Sequence, residues 1–217
     1  MARRTPGLLA LVRSIGQDTN HDVLDAALIS FLDFGIRRTS MGEIAKRAGM
    51  SPATLYRRFA QKSDIVQMVG LREVRRFVDS VEAHVDHSAP ADDQLVELFV
   101  AFADGLRSNQ LIRRLLDTEP EIVLPFLTTQ GGPVLALGTE YITEFIERLQ
   151  DAGQLPHYDA RPVAEALARV ALTMPLIPET SIPIGDSDAA RQFARDHLVV
   201  IARAAPPAKR TPRKSSA

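Results

Sequence analysis

Residues 40–62 constrain the fold more than any other part of the chain. Ser40 followed by Glu43 has the pattern of a capping box, in which each side chain bonds the backbone N–H of the other residue. Gly49 suits the left-handed conformation that ends a helix and turns the chain sharply. Ser51 and Pro52 give a strong helix start, because proline loses no hydrogen bond at the first helical position. The stretch therefore predicts two short helices joined by a tight turn.

The sequence on both sides of this stretch has the periodicity of helices. Leu24, Leu28 and Phe31 recur on one helical face that ends at Gly35. Apolar residues from 74 to 85 predict a helix that Ser63 caps and that extends roughly 35 Å. Five more segments have helical patterns, the first of them marked by Leu95, Leu98, Phe99, Phe102 and Leu106. We predict an all-α fold of about nine helices, with a three-helix N-terminal domain and a helical C-terminal domain.

Charge is distributed unevenly along the chain. Residues 36–76 contain ten Lys and Arg against three Asp and Glu, a local balance of +7. Residues 77–205 contain nine against twenty, a balance of −11, although the whole chain has a net charge of only −1. A basic block beside an acidic one indicates a module that binds a polyanion, joined to a domain that does not. A solvated basic face is the alternative explanation of this pattern.

Several function classes find no support in the sequence. The chain has no Cys, which excludes disulfides and thiolate metal sites. It contains no nucleophile elbow and no glycine-rich phosphate loop, and His84 and His87 have the spacing of a solvated pair near a helix end. No apolar run reaches the length of a membrane span, and the N-terminus lacks the features of a signal peptide. We expect a cytoplasmic protein that is not an enzyme and needs no metal or cofactor.

The chemistry of residues 40–62 is that of a helix-turn-helix that reads DNA. The second helix of such a motif enters the major groove by its N-terminal end, which must carry small or polar residues. Hydroxyl groups and cationic side chains bind phosphates and guanine edges. The candidate DNA-binding residues on this reasoning are Ser51, Ala53, Thr54, Tyr56, Arg57 and Lys62. Tyr56 has an alternative role, as a half-buried aromatic residue that seals the small core.

Two segments, AALISFLDFG and TSMGEIAKRAGMSPATLYRRFAQKSDIV, resemble the N-terminal DNA-binding domain of the tetracycline-repressor (TetR) family. The resemblance covers about residues 22–69 and includes complete I-A-x-x-A-G and T-L-Y-x-x-F-x-x-K-x-D/E patterns. It implies phosphate contacts from Ser40, Tyr56 and Lys62. It also implies recognition-helix contacts, which fall on Ser51, Ala53, Thr54, Tyr56 and Arg57. The position of Arg57 varies widely in the family, so its role as a base reader carries over less directly.

The same resemblance implies a homodimer that binds a palindromic DNA operator. In the family, the last two helices of each subunit pack with those of the partner as a four-helix bundle. By position these helices correspond to about residues 160–176 and 187–204. Ala164, Ala168 and Ala171 would permit a close helix approach on such a face, although packing within one subunit explains them equally well.

The resemblance further implies a small hydrophobic effector that binds among the fifth to eighth helices and releases the DNA. The candidate lining residues are Phe99, Phe102, Phe126, Tyr141, Phe145 and Met174. Each of them is also explained as ordinary core. The leading hypothesis is an effector-released repressor. The alternatives are a constitutive or protein-regulated DNA binder, and a small-molecule-binding protein or enzyme that kept the fold without DNA binding.

These inferences divide the chain into four parts. Residues 1–19 form an N-terminal extension that we expect to be flexible, because Pro6, Gly7 and Gly16 give a helix little support. Residues 20–66 form the helix-turn-helix DNA-binding domain, and residues 67–205 form the regulatory and dimerisation domain. Residues 206–217 are basic and proline-rich, and we expect them to be a disordered tail.

Overall fold

The computed structural model describes residues 8–14, 20–177 and 180–204, and every regular element in these ranges is a helix. The all-α prediction is therefore confirmed for the described residues. The helices are α1 (Leu8–Ser14), α2 (His21–Phe34), α3 (Met41–Arg47), α4 (Pro52–Arg58), α5 (Lys62–His84), α6 (Ala91–Ser108), α7 (Gln110–Thr118), α8 (Pro120–Leu127), α9 (Gly132–Asp151), α10 (Ala160–Thr173), α11 (Ser187–Phe193) and α12 (Val199–Ala204), with a π-helical turn (Ala194–Leu198) joining the last two. The predicted tail, residues 206–217, lies outside the described ranges.

The described helices outnumber the nine expected from the sequence for three reasons. The segment predicted as one broken helix forms two, because Glu119 leaves the helical conformation and Pro120 starts α8. The last predicted helix is continuous but changes to π geometry in its middle. The third addition is α1, within the extension expected to be flexible.

Helix α1 is held against the body of the protein by both apolar and polar contacts. Leu9 and Val12 are buried in a cluster with Leu137 of α9. The backbone N–H of Leu9 donates to the Glu140 carboxylate at 3.0 Å, and Arg13 forms an ion pair with Glu144 at 2.7 Å. A helix of seven residues is marginal alone, so these contacts with α9 stabilise α1. The remaining residues of the extension, 1–7 and 15–19, lie outside the described ranges.

The N-terminal helices α2, α3 and α4 surround a small core that the first turns of α5 complete. Phe31, Ile44, Leu55 and Ile65 are each almost completely buried in it. Leu115 of α7 belongs to the same cluster, so the core extends beyond the three helices that the sequence predicts. This contact joins the N-terminal helices to the α7–α8 region.

Helix α5 begins earlier than predicted. Its N-cap is Gln61 rather than Ser63, and the backbone N–H of Gln61 donates to the Asp64 carboxylate at 3.2 Å. With 23 residues it is about 35 Å long, as expected. Ile65 and Val69 near its start are buried in the N-terminal core, whereas Val81 near its end is buried in the C-terminal part.

The C-terminal part of the structure comprises α6 to α12. It is built on α6, α9, α10 and the final helix, which runs from α11 through the π-helical turn to α12. Phe145, Ile146 and Leu149 of α9 form the centre of its main cluster. Ala164 and Ala168 of α10 are buried, and Gly138 of α9 lies beside Ala168. The alanines therefore pack within one subunit, which is the second of the two explanations considered for them.

Helix α6 buries a different set of residues from the one that its largest side chains suggested. Val96, Val100 and Ala103 are buried, whereas all five residues of the predicted stripe are only partly buried. Helix α6 lies between α5 and the last helices, and its Leu95 and Leu98 also pack against the cluster around Phe145. Phe102 contacts Phe77 of α5 at a ring-centroid distance of 5.4 Å.

Among the described helices, none is by itself long and apolar enough to cross a membrane. Helices α8 and α9 reach the required length and composition only as a pair, which is bent by 51°.

Candidate nucleic-acid interface

The caps of α3 and α4 fix the geometry of the turn between them. The Ser40 hydroxyl accepts from the Glu43 N–H at 3.1 Å, which confirms half of the predicted capping box. The reciprocal bond from Ser40 N–H to the Glu43 carboxylate is not among the hydrogen bonds of the described residues. Gly49 has the predicted left-handed conformation, with φ of 68°. The Met50 N–H donates to the Ala45 carbonyl at 3.0 Å and closes the turn.

Helix α4 starts as predicted and is fixed from its inner face. The Ser51 hydroxyl accepts from the Thr54 N–H at 3.2 Å, and Pro52 occupies the first turn. Leu55 is completely buried, and Phe59 is buried one turn later. Because these two residues hold the helix against the core, the outer residues of α4 have a defined orientation.

The predicted DNA-reading residues lie on the outer face of α4. Ser51, Ala53 and Arg57 are exposed, and Thr54 is partly exposed. Tyr56 is 54% exposed and is not part of the apolar cluster, which argues against the alternative that it seals the core. Arg57 and Arg58 have no carboxylate within ion-pair distance in the described part of the chain. The face thus offers hydroxyls and uncompensated positive charge, which is the chemistry that a DNA backbone and base edges require.

Lys62 has a different environment from the one predicted for a phosphate-binding residue. Its ammonium group donates to the carbonyls of Ile36, Arg37 and Thr39 at 2.7, 3.1 and 2.9 Å. An ammonium group has three N–H donors, and all three are used here. In this structure, Lys62 therefore holds the α2–α3 connection to the start of α5 and has no donor left for a phosphate.

Sequence reasoning missed one residue at this site, Glu119. It is only 7% exposed, and its carboxylate accepts from the backbone N–H groups of Ile36 and Arg37 at 2.6 and 2.9 Å. Its neighbour Glu121 forms an ion pair with Arg37 at 2.9 Å. The only local signal was Pro120, which marks a helix start but says nothing of a partner more than eighty residues away.

The six predicted pocket residues have different neighbours in the structure. Phe99 contacts Phe193 of α11, Phe102 contacts Phe77, and Met174 lies at the C-terminal end of α10. Phe126 is 54% exposed on α8, which buries none of its residues. Phe145 is in the main C-terminal core. Large aromatic residues on different helices can each be buried against a different neighbour, so a pocket lined by these six residues stays a prediction.

Tyr141 and Phe145 do share a cavity, but most of its lining is charged. Its volume is about 230 Å³, and Arg13, Glu82, Glu144 and Arg148 complete its lining. The Tyr141 hydroxyl donates to Glu82 at 2.6 Å, and Arg148 donates to the other Glu82 oxygen at 3.2 Å. Burial raises the pKa of Glu82, but these two hydrogen bonds outweigh it and hold the pKa below its ordinary value. The cavity therefore suits water or a polar group better than an apolar molecule.

Comparisons with known proteins agree with this geometry. The family model for bacterial regulatory proteins of the tetR family matches residues 23–69. An uncharacterized HTH-type transcriptional regulator of Mycobacterium tuberculosis is 28% identical over 154 residues, which are 71% of this chain and 78% of the relative. The HTH-type transcriptional regulator AlkX of the same organism is 26% identical over 182 residues, 80% of each chain.

Solved structures show the same fold at lower identity. The TetR family repressor AlkX from Dietzia sp., described as implicated in biodegradation of n-alkanes, has a TM-score of 0.58 and 22% identity. The likeness covers 83% of this chain and 98% of that one.

The family match lies on α2 to the first turns of α5, where the capped helices, the glycine turn and the exposed face of α4 are found. The similar proteins are regulators rather than enzymes. The chain is thus a DNA-binding transcriptional regulator whose N-terminal domain matches the tetR family model.

Proposed function

We propose that this regulator is a repressor that binds a palindromic operator as a homodimer and is released by a small hydrophobic effector. The proposal of DNA binding rests on the outer face of α4, where Tyr56 and Arg57 are exposed while the buried Leu55 holds the helix against the core. In a dimer, the two copies of α4 would enter successive major grooves roughly 34–36 Å apart. DNA as the partner places the protein in the cytoplasm.

Tyr56→Phe tests the DNA contact with the smallest possible change. The probe is duplex DNA from the region that flanks the protein's own gene, measured by fluorescence anisotropy at several salt concentrations. We expect the loss of one hydroxyl contact to phosphate to weaken binding about fivefold, with no change in melting temperature, because Tyr56 lies outside the core. Tyr141→Phe, which removes a hydroxyl far from α4, should leave the affinity unchanged. Equal affinity for wild type and Tyr56→Phe would refute the proposed contact.

Exposed apolar side chains on the last helices support the dimer. Val170 of α10 and Val200 and Ile201 of α12 each expose about half of their surface, as does Ile177 just after α10. Large apolar groups exposed on helices of a folded domain are typical of surfaces that a partner covers. The resemblance to the TetR family assigns dimerisation to these same helices.

A charged residue in this face should dissociate the dimer. Val200→Glu would bury a carboxylate without a partner in the proposed interface, which is costly, so the dissociation constant should rise at least tenfold. Light scattering coupled to gel filtration at micromolar concentration measures the mass. Gln110→Glu, at an exposed position on α7, is the control and should leave the dimer intact. A wild-type protein that is monomeric at this concentration would contradict the model of two half-sites.

For the effector we propose an aliphatic chain. The support comes from AlkX of Dietzia, whose description concerns n-alkanes, and from the apolar space between α5 and α9 that α1 fills. Val74 and Val78 of α5 face Leu137 and Tyr141 of α9 there. An alkane or a fatty acid that occupied this space would have to compete with Leu9 and Val12 of α1.

The effector is tested with a series of n-alkanes and fatty acids of increasing chain length. A compound of this class should raise the melting temperature, because it binds the folded state, and should release the flanking DNA duplex. If none of them does either, the protein is better described as a constitutive or protein-regulated DNA binder.

A further inference from the structure

Charged side chains on two sides form hydrogen bonds with the backbone of residues 35–39, the connection between α2 and α3. Its backbone N–H groups point to the carboxylate of Glu119, and its carbonyl groups point to the ammonium of Lys62. Lys62 belongs to the start of α5, next to the DNA-binding helices. Glu119 instead lies at the corner between α7 and α8, in the C-terminal part of the chain.

The contact of Glu119 with this connection is a built site rather than a chance approach. Two carboxylate oxygens accept from two consecutive N–H groups, those of Ile36 and Arg37, in a buried setting. Gly35 makes room for the carboxylate, since a Cβ at this position would lie 2.9 Å from the carboxylate carbon of Glu119. Gly35 also has φ of 83°, a conformation that other residues rarely adopt.

The α7–α8 corner is itself fixed to the DNA-binding helices. Leu115, one turn before Glu119, is buried in the N-terminal core, and its carbonyl accepts from the Glu119 N–H at 2.9 Å. Helix α8 continues from Glu119, its Ile122 and Val123 pack against the N-terminal core, and its C-terminal end adjoins α9. A displacement of α8 relative to α5 would therefore act on residues 35–39 through Glu119.

Residues 35–39 set the position of the DNA-contacting elements. It ends at Ser40, the N-cap of α3, and the Thr39 hydroxyl donates to the Gly35 carbonyl at 2.7 Å. The same peptide units that Glu119 and Lys62 hold carry Arg37, which is exposed beside the helix-turn-helix. A change at the connection would shift the start of α3 and, through the closed turn at Gly49, the start of α4.

We propose that Glu119 is a positioning residue for operator binding, through which the C-terminal part of the chain holds the α2–α3 connection in its DNA-binding geometry. This inference rests on the proposed function. Two hydrogen bonds to a charged, buried acceptor stabilise strongly. An effector that moved α8 away from α5 would break these two hydrogen bonds.

Glu119→Gln tests the two Glu119 hydrogen bonds with almost no change in the shape of the side chain. An amide retains one acceptor oxygen, and its NH₂ group would face the second N–H donor, so one of the two hydrogen bonds is lost. Hydrogen exchange measured by mass spectrometry should show at least tenfold faster exchange at Ile36 and Arg37. Exchange at Phe145 and Ile146 of α9 should stay unchanged, which distinguishes a local effect from general destabilisation. The affinity for the flanking DNA duplex should fall about five- to tenfold.

Glu121→Gln is the matched control. It removes the same charge two residues away and breaks an exposed ion pair with Arg37, so both exchange and affinity should remain within about twofold of wild type. Glu119→Asp is a second variant that keeps the charge but shortens the reach, and it should also accelerate exchange. Unchanged exchange in Glu119→Gln would show that the Glu119 hydrogen bonds do not hold residues 35–39. Accelerated exchange with unchanged affinity would show that these hydrogen bonds have no role in DNA binding. A wild-type protein without affinity for DNA would instead refute the proposed function.

Discussion

The arginines of α4 and those of the C-terminal part differ in their partners. On α4, Arg57 and Arg58 are exposed and have no carboxylate within ion-pair distance in the described residues. In the C-terminal part, most arginines are paired with a carboxylate: Arg107, Arg148, Arg169, Arg191, Arg195 and Arg203. The same residue type therefore serves different purposes. On α4, which contains no acidic residue, the positive charge is available to a polyanion, and in the acidic C-terminal part most of it is neutralised within the protein.

A similar contrast separates the two halves in what holds their functional groups. The caps and turn of the N-terminal helices depend on residues three or four positions apart, such as Ser51 and Thr54. The polar groups of the C-terminal cavity depend on partners on other helices, such as Tyr141 and Glu82. The caps and the turn of the DNA-binding helices are therefore defined by local sequence, whereas any effector site depends on how whole helices pack.

The largest effect is expected from loosening α4. Leu55→Ala would remove a completely buried side chain and leave a cavity, which should lower the free energy of unfolding by about 2–5 kcal/mol. Because Leu55 orients the outer face of α4, DNA binding should be lost together with stability. Urea unfolding monitored by circular dichroism measures the first effect, and anisotropy with the DNA duplex measures the second. Leu124→Ala, at a leucine that is 38% exposed on α8, should cost less than about 1 kcal/mol.

If Leu55→Ala unfolded no more easily than Leu124→Ala, α4 would not be anchored as described. The comparison between a locally defined DNA-binding face and a packed C-terminal part would then have no structural basis.

The limits of sequence-based prediction follow the same division. The caps by Ser40 and Ser51 and the conformation of Gly49 were predictable, because they depend on neighbouring residues and on backbone sterics. The roles of Lys62 and Glu119 were not, because their partners are backbone groups 23 to 83 positions away. A backbone carbonyl or N–H has no identity in the sequence, so no pattern marks it as the partner of a charged side chain.

The packing partners of the pocket candidates were not predictable, for a related reason. Hydrophobic periodicity shows which side of a helix is apolar, but not which neighbour covers it. Phe99 and Phe102 lie three positions apart on α6 and contact different helices, α11 and α5. These contacts depend on how the helices pack, which hydrophobic periodicity does not predict.

An intermediate effect is expected from the unpaired arginines. Arg57→Ala should reduce the slope of log affinity against log salt concentration by about one, since one phosphate contact releases about one counterion. Arg169→Ala is the matched control, because Arg169 lies on α10 and pairs with Glu165 at 2.6 Å. Its removal should leave the slope unchanged. A slope that falls equally in both variants would show that total charge, rather than the unpaired charge on α4, determines DNA binding.

The smallest effect is expected from the internal pairing of the C-terminal part. Tyr141→Phe removes the hydrogen bond that helps to hold the pKa of Glu82 below its ordinary value of 4.5. Because this pKa is lower in the folded than in the unfolded state, the stabilisation is present above about pH 5 and is lost as the pH falls through the folded value. Glu82 is 35% exposed, so solvent screening limits the effect to about 1 kcal/mol or less at pH 7. Urea unfolding at pH 7 and pH 3.5 should show a difference from wild type that shrinks in acid.

Tyr158→Phe is the informative control, because the Tyr158 hydroxyl is buried and has no hydrogen-bond partner in the described part of the chain. Its removal should leave stability unchanged or slightly increased at both pH values, since an unsatisfied buried polar group is costly. A loss of stability in Tyr158→Phe as large as in Tyr141→Phe would show that filling space, rather than pairing with Glu82, is what a tyrosine hydroxyl contributes here. The C-terminal part would then be held by packing alone, and its internally paired charges would be as dispensable for folding as the unpaired arginines of α4.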